Sequence, residues 1–157
     1  MLMRRLRLSP DVSKVVSKFI RRLCALAGPE LAAAVERVRA TSDPRALTIA
    51  VYTLARQLAG RDKEKQLRAA RVLVLFGPVA APQLVTHLYE TTDRAFRLRL
   101  VGVLADIGPA AREVVVTALG GLLRNQPDAT LRQAAWDGLW RLGPPCEAPA
   151  PEKGAGV

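Results

Sequence analysis

The chain has 157 residues, half of them apolar, with seven aromatics and a net charge of +10 in which 19 of 24 cations are arginine. That length supplies one domain with a sizeable core, and an Ala-, Leu- and Val-rich, aromatic-poor composition favours closely packed helices over strands. Two distant cysteines, Cys24 and Cys146, argue against a disulfide framework and for a reducing, cytoplasmic setting. The opening MLMRRLRLSP has no apolar run after its basic residues, which argues against a secretory signal. The positive balance suits an acidic partner, such as nucleic acid or an anionic surface, or simply a solvated surface.

Residues 1–10 form a basic arm carrying Arg4, Arg5 and Arg7 and ending in the helix-start pair Ser9-Pro10. From Asp11, residues Val12, Val15, Val16, Phe19, Ile20, Leu23 and Leu26 recur at helical spacing, with Lys14, Lys18, Arg21 and Arg22 between them. An Arg-rich amphipathic start is also a mark of organelle presequences. The direct passage into Gly28-Pro29 favours a repeat helix instead. A second helix is expected from Pro29 to Ala40, since proline in the first turn removes an N–H that has no partner there anyway. Asp43 then serves as N-cap and Pro44 as first position of a helix running to Ala59, with Leu47, Val51, Leu54 and Leu58 on one face. Gly60-Arg61-Asp62 is a tight stop and start.

Residues 72–89 carry no charge, a membrane-span length. Gly77-Pro78, Pro82, Gln83 and His87 interrupt that run, so a helix–turn–helix is expected there and no transmembrane segment.

Beyond residue 60 the chain repeats. Leu73/Phe76/Gly77/Pro78, Leu104/Ile107/Gly108/Pro109 and Leu139/Leu142/Gly143/Pro144 align, with the glycines 31 and 35 residues apart. Leu26-Ala27-Gly28-Pro29 is a weaker fourth copy. Each glycine is expected to close a first helix in the left-handed conformation, and each proline to start the second helix folded back on it. Gly60 and Gly77 are only 17 apart. Residues 44–59 are therefore either a degenerate second helix or a local irregularity.

The pattern resembles bacterial HEAT-like repeats of the phycobilisome-lyase type. Arg132-Gln133-Ala134-Ala135 with Leu139 and Leu142-Gly143-Pro144 is the closest match, supported by Leu67-Arg68-Ala69-Ala70 and by the Gly-Pro segments at 77–81 and 108–111. The resemblance covers residues 11–145 and implies an all-α, right-handed α-solenoid of antiparallel helix pairs, about eight helices in all. It implies little about function, because such repeats carry many roles. Residues 146–157, Pro-, Ala- and Gly-rich, have little to bury and are expected to be disordered.

Three kinds of candidate follow. In such arrays the second helices line a concave groove, here 29–40, 78–92 and 109–125, whose formal charges cancel. That neutrality counts against a HEAT-like DNA glycosylase and favours a protein partner at Gln83, His87, Glu90, Arg112 and Glu113. The positive excess falls on Arg4, Arg5, Arg7, Arg61, Lys63, Lys65, Arg68 and Arg71, candidates for binding nucleic acid or an anionic surface. Trp136 and Trp140, four apart on one helix face, either await a partner protein or second copy of the chain, or cap the end of the core. No catalytic constellation, cofactor motif or metal set is present, since His87 stands alone among the histidines. The expected function is a non-catalytic protein-interaction module. Nucleic-acid or anionic-surface binding is the first alternative, and an accessory subunit of a lyase-like enzyme, implied only by the resemblance, the second.

Overall fold

The computed structural model describes residues 10–143, so the arm up to residue 9 and the Pro-rich tail 146–157 lie outside the described residues. Within that span the chain is all-helical, with no strand. Eight helices follow one another: α1 (Pro10–Ala25), α2 (Gly28–Thr41), α3 (Pro44–Ala59), α4 (Lys63–Phe76), α5 (Ala81–Glu90), α6 (Arg94–Ile107), α7 (Arg112–Asn125) and α8 (Ala129–Arg141). A single 3₁₀ turn, Gly77–Val79, leads into α5.

The helices contact one another in two rows. In one row α1 packs on α3, α3 on α5 and α5 on α7; in the other α2 packs on α4, α4 on α6 and α6 on α8. Contacts between α1 and α2, α3 and α4, α5 and α6, and α7 and α8 join the rows. One continuous core lies between them, with Ile20, Leu54, Leu58, Leu84, Leu88 and Leu119 from the odd row meeting Val35, Leu73, Phe76, Leu100, Leu104 and Leu131 from the even row. Each such side chain, removed wholly from water, contributes roughly 1.5–3 kcal/mol before its ordering cost is counted.

This arrangement decides the register that periodicity left open. Helix α3 stands between α1 and α5, in the row of the expected second helices, so 44–59 is a second-row helix and not an interruption. The same contacts reverse the expected order at the amino-terminal end. Helix α1 belongs with α3, α5 and α7, and α2 with α4, α6 and α8. The Gly28-Pro29 break therefore leads from the odd row to the even row, whereas Gly77-Pro78 leads from even to odd.

Two polar devices recur in the even row. An aspartate fifteen residues before each repeat glycine caps the helix start. Asp62 accepts from the N–H groups of Glu64 and Lys65 at 3.0 and 3.2 Å, Asp93 from Phe96 at 3.1 Å, and Asp128 from Thr130 and Leu131 at 2.8 and 3.3 Å. One turn further on, a long polar side chain reaches back to carbonyls at the end of the preceding helix. Gln66 donates to Gly60 O, Arg97 to Leu88 O at 3.2 Å, and Arg132 to Gln126 O and Pro127 O at 2.8 and 2.7 Å. Leu88 is in the last turn of α5, whose carbonyls lack a partner within the helix, and Gly60, Gln126 and Pro127 lie just past the ends of α3 and α7.

Some expected caps differ. Asp43 holds the N-cap position of α3, yet its side chain makes no capping bond and only its carbonyl accepts, from Leu47 N–H at 3.1 Å. Gly28, Gly77 and Gly143 have positive φ, but Gly108 continues in the right-handed region at φ −38° and Gly60 is extended. At Gly77 the φ of +55° lets its N–H bond back to Leu73 O and Val74 O, and a β-carbon would strain that conformation. Gly108 is needed for space instead, because a β-carbon there would overlap Leu142 Cδ2 at the end of α8.

No single helix among the described residues is long and apolar enough to cross a membrane. The segments Lys63–Val79 and Ala81–Glu90 pass a length-and-composition test only together, and they meet at 114°. Their large apolar side chains Leu73, Phe76, Leu84 and Leu88 are buried in the core.

Candidate functional site

Helix α8 ends the even row. It turns Leu131, Ala135 and Gly138 inward, and Gly138 sits so close that an added β-carbon would lie 3.0 Å from Leu119 Cδ1 and 3.1 Å from Ala105 Cβ. Such close packing fixes which face remains outside. Trp136 and Trp140 occupy it, 54% and 74% exposed. Gln133 and Asp137 flank them, joined by a 2.9 Å hydrogen bond from Nε2 to Oδ1.

The helix that carries the two rings is held at both ends. Arg94 at the start of α6 donates from Nε to Asp128 Oδ2 and from Nη2 to Thr130 Oγ1, both at 2.6 Å. The Arg94 guanidinium and the capping N–H groups together hold the Asp128 carboxyl below the usual carboxylate range. At the other end Arg141 pairs with Asp106 at 2.9 Å, and Arg112 of α7 donates to Leu142 O at 2.6 Å and Gly143 O at 3.0 Å. Arg112, expected on a groove, thus fastens the end of α8 to the start of α7.

The remaining groove candidates separate. Glu113 joins Val85, Tyr89, Val114, Thr117 and Ala118 around an open depression of about 330 Å³ between α5 and α7. Tyr89 crosses it to donate to Ala118 O at 3.0 Å, and glycine at 121 leaves room for its hydroxyl. Gln83 is half-buried and Glu90 exposed at the end of α5. His87 is half-buried between the rings of Tyr52, 5.5 Å away, and Phe96, 6.5 Å away. Burial lowers its pKa against a smaller upward pull from Glu90, which favours the neutral ring. It is packed as an aromatic spacer between α3, α5 and α6. No group of three or more His, Cys, Asp or Glu side chains stands together among the described residues. Cys24 is half-buried, with its thiol pushed up by burial despite the nearby Arg68 charge, and lies 4.0 Å from Gln57 Oε1.

Charge is distributed differently from the expected pattern. Of the candidate anion-binding side chains, Lys65 pairs with Asp62 at 3.2 Å and Arg68 with Glu64. Arg61, Lys63 and Arg71 are exposed, and Arg4, Arg5 and Arg7 lie outside the described residues. The three segments expected to line one groove do not form one row of contacts, since α2 packs on α4 whereas α5 packs on α7. With α1 and α3 restored to the row of α5 and α7, that row gains Lys14, Lys18, Arg21, Arg22, Arg45 and Arg56. None of these six is among the anion-binding candidates expected from the sequence. The spacing of Asp62, Asp93 and Asp128 ahead of the glycines, which has no counterpart before Gly28, was the signal that could have set the phase. Comparison with protein-family models, curated proteins and solved structures finds no match.

Proposed function

We propose that this protein is a non-catalytic protein-interaction module of the HEAT-like helical-repeat kind, in which the two rows are part of a right-handed α-solenoid. The observation that carries the reading is the exposed pair Trp136 and Trp140 on the terminal helix of a row. In a stacked array the outer face of the last helix is where another repeat would sit. At the corresponding positions α6 has Val101 and Ala105, both buried, and Ala105 meets α8. Two indole rings at that position leave a large apolar surface without a neighbour among the described residues. Tryptophan is the residue that most often dominates the affinity of a protein interface. The bonds from Arg94, Arg112 and Arg141 hold the rings' helix in one position, which lowers the ordering cost of binding.

Fluorescence tests this directly, because both tryptophans of the chain belong to the pair. In purified monomer the emission should be that of solvated indole and fully open to a neutral quencher. Partner protein captured from the native cell should be lost on Trp136→Ala/Trp140→Ala substitution, while the helical circular-dichroism spectrum is kept. A blue-shifted, quencher-protected monomer would instead place the pair in the core and remove the basis for the proposal. Sedimentation of the same samples separates a foreign partner from a second copy of the chain.

A further inference from the structure

We infer that the outer face of α1 is a docking strip for the phosphate backbone of duplex nucleic acid, a site independent of the tryptophan pair on α8. The inference starts from where the protein's cations go. Arg94, Arg97, Arg112, Arg132 and Arg141 are engaged in holding helices together, and Lys65 and Arg68 face carboxylates on their own helix. Lys14, Lys18, Arg21 and Arg22 differ. All four are exposed, none forms an ion pair with a described residue, and with Ala25 they line a shallow open depression.

Their spacing places them together. Residues 14, 18 and 21 follow one another at steps of four and three, so they lie along one stripe, with Arg22 beside it. From Lys14 to Arg22 the helix advances roughly 12 Å at 1.5 Å per residue. Four positive charges over that length give a mean charge density comparable to that of one strand of a duplex, whose phosphates advance roughly 3.4 Å each along the axis. Helix α3, next in the row, exposes Arg45 and Arg56, and the Cys24–Gln57 contact puts the ends of α1 and α3 side by side. Arg56 therefore stands at the same end of the row as Arg21 and Arg22.

Two other anionic surfaces fit less well. Insertion into a bilayer needs an apolar helix face, but Val16, Ile20 and Leu23 of α1 are already buried in the core, and among its described large apolar side chains Val15 alone is exposed. Single strands are gripped by aromatic side chains on which bases stack, and α1 exposes none. What the strip offers is charge at backbone spacing with no means of reading a base, which is the chemistry of sequence-independent duplex contact.

The test is binding of a 20-base-pair duplex by the full chain across a salt series, followed by fluorescence anisotropy. Four phosphate contacts predict a fall in log affinity of about 3 to 4 per decade of salt. Lys14→Glu/Lys18→Glu/Arg21→Glu should weaken binding at least about tenfold at moderate salt and flatten that slope. Arg61→Glu/Lys63→Glu/Arg71→Glu changes net charge equally but lies on the α4 side, and should weaken binding no more than about threefold. Circular dichroism confirms that both variants fold. Equal losses in the two variants would make the effect one of bulk charge and overturn the assignment. So would absence of duplex binding, or stronger binding to single strands or phosphatidylserine vesicles than to duplex.

Discussion

Asp128 does two jobs with one carboxylate. It caps α8 through the N–H groups of Thr130 and Leu131, and it receives the Arg94 guanidinium from the neighbouring helix. Replacing it with alanine should lower the urea-denaturation midpoint, as loss of a capping side chain typically does. Asp43→Ala provides the contrast, because that side chain makes no capping bond, and its cost should stay within about 0.5 kcal/mol. His87 gives a second residue-scale expectation. Burial between Tyr52 and Phe96 holds its pKa below the ordinary 6.5, so the unfolded chain takes up a proton first as pH falls. Stability from this source is complete above about pH 6.5 and drains away as pH drops from there towards the folded pKa. The denaturation midpoint should therefore fall modestly from pH 7 to 5.5 in the natural protein and stay flat in His87→Gln. Asp62 and Asp128, whose carboxyls are held below their ordinary range, lose their contribution only in more acid solution.

At the scale of elements, helix existence was readable because the apolar positions recur at 3.6-residue spacing and Gly-Pro pairs mark the breaks. The rows were not readable from that signal. A Gly-Pro break states that one helix ends and another begins, but it is silent about which row each belongs to. Gly28-Pro29 and Gly77-Pro78 look alike as text and turn in opposite directions between the rows. The polar residues held the missing information, through Asp62, Asp93 and Asp128 at a fixed distance before the glycines and through Gln66, Arg97 and Arg132 four residues after each aspartate. These side chains were masked by the expectation that arginine on a helix surface is charge for solvent or for a ligand. Arg112 likewise has a structural task that sequence does not display: its guanidinium serves the carbonyls of Leu142 and Gly143. The exposure of Trp136 and Trp140 could not be settled from sequence either, since four-residue spacing places two rings on one face without saying what covers that face.

The whole array is fastened unevenly along its length. Helices α4, α6 and α8 each carry an aspartate cap and a side chain that ties down the preceding helix, and α6 and α8 are further joined by Arg94–Asp128 and Arg141–Asp106. Helix α2 has neither device. Its N-cap is Ala27 with no side-chain bond, and its C-cap is Ser42 in place of a left-handed glycine. Hydrogen exchange should accordingly be fastest in α1 and α2 and slowest in α6, with α8 better protected than its terminal position alone would give. Uniform protection along the chain, or a fast-exchanging α8, would contradict this ordering.

The tie carried by α4, α6 and α8 points back along the chain, never forward. Gln66 secures the end of α3, Arg97 the end of α5, and Arg132 the end of α7. In a chain made from its amino terminus, the carbonyls at the ends of α3, α5 and α7 thus meet their donors only once the first turn of the following helix exists.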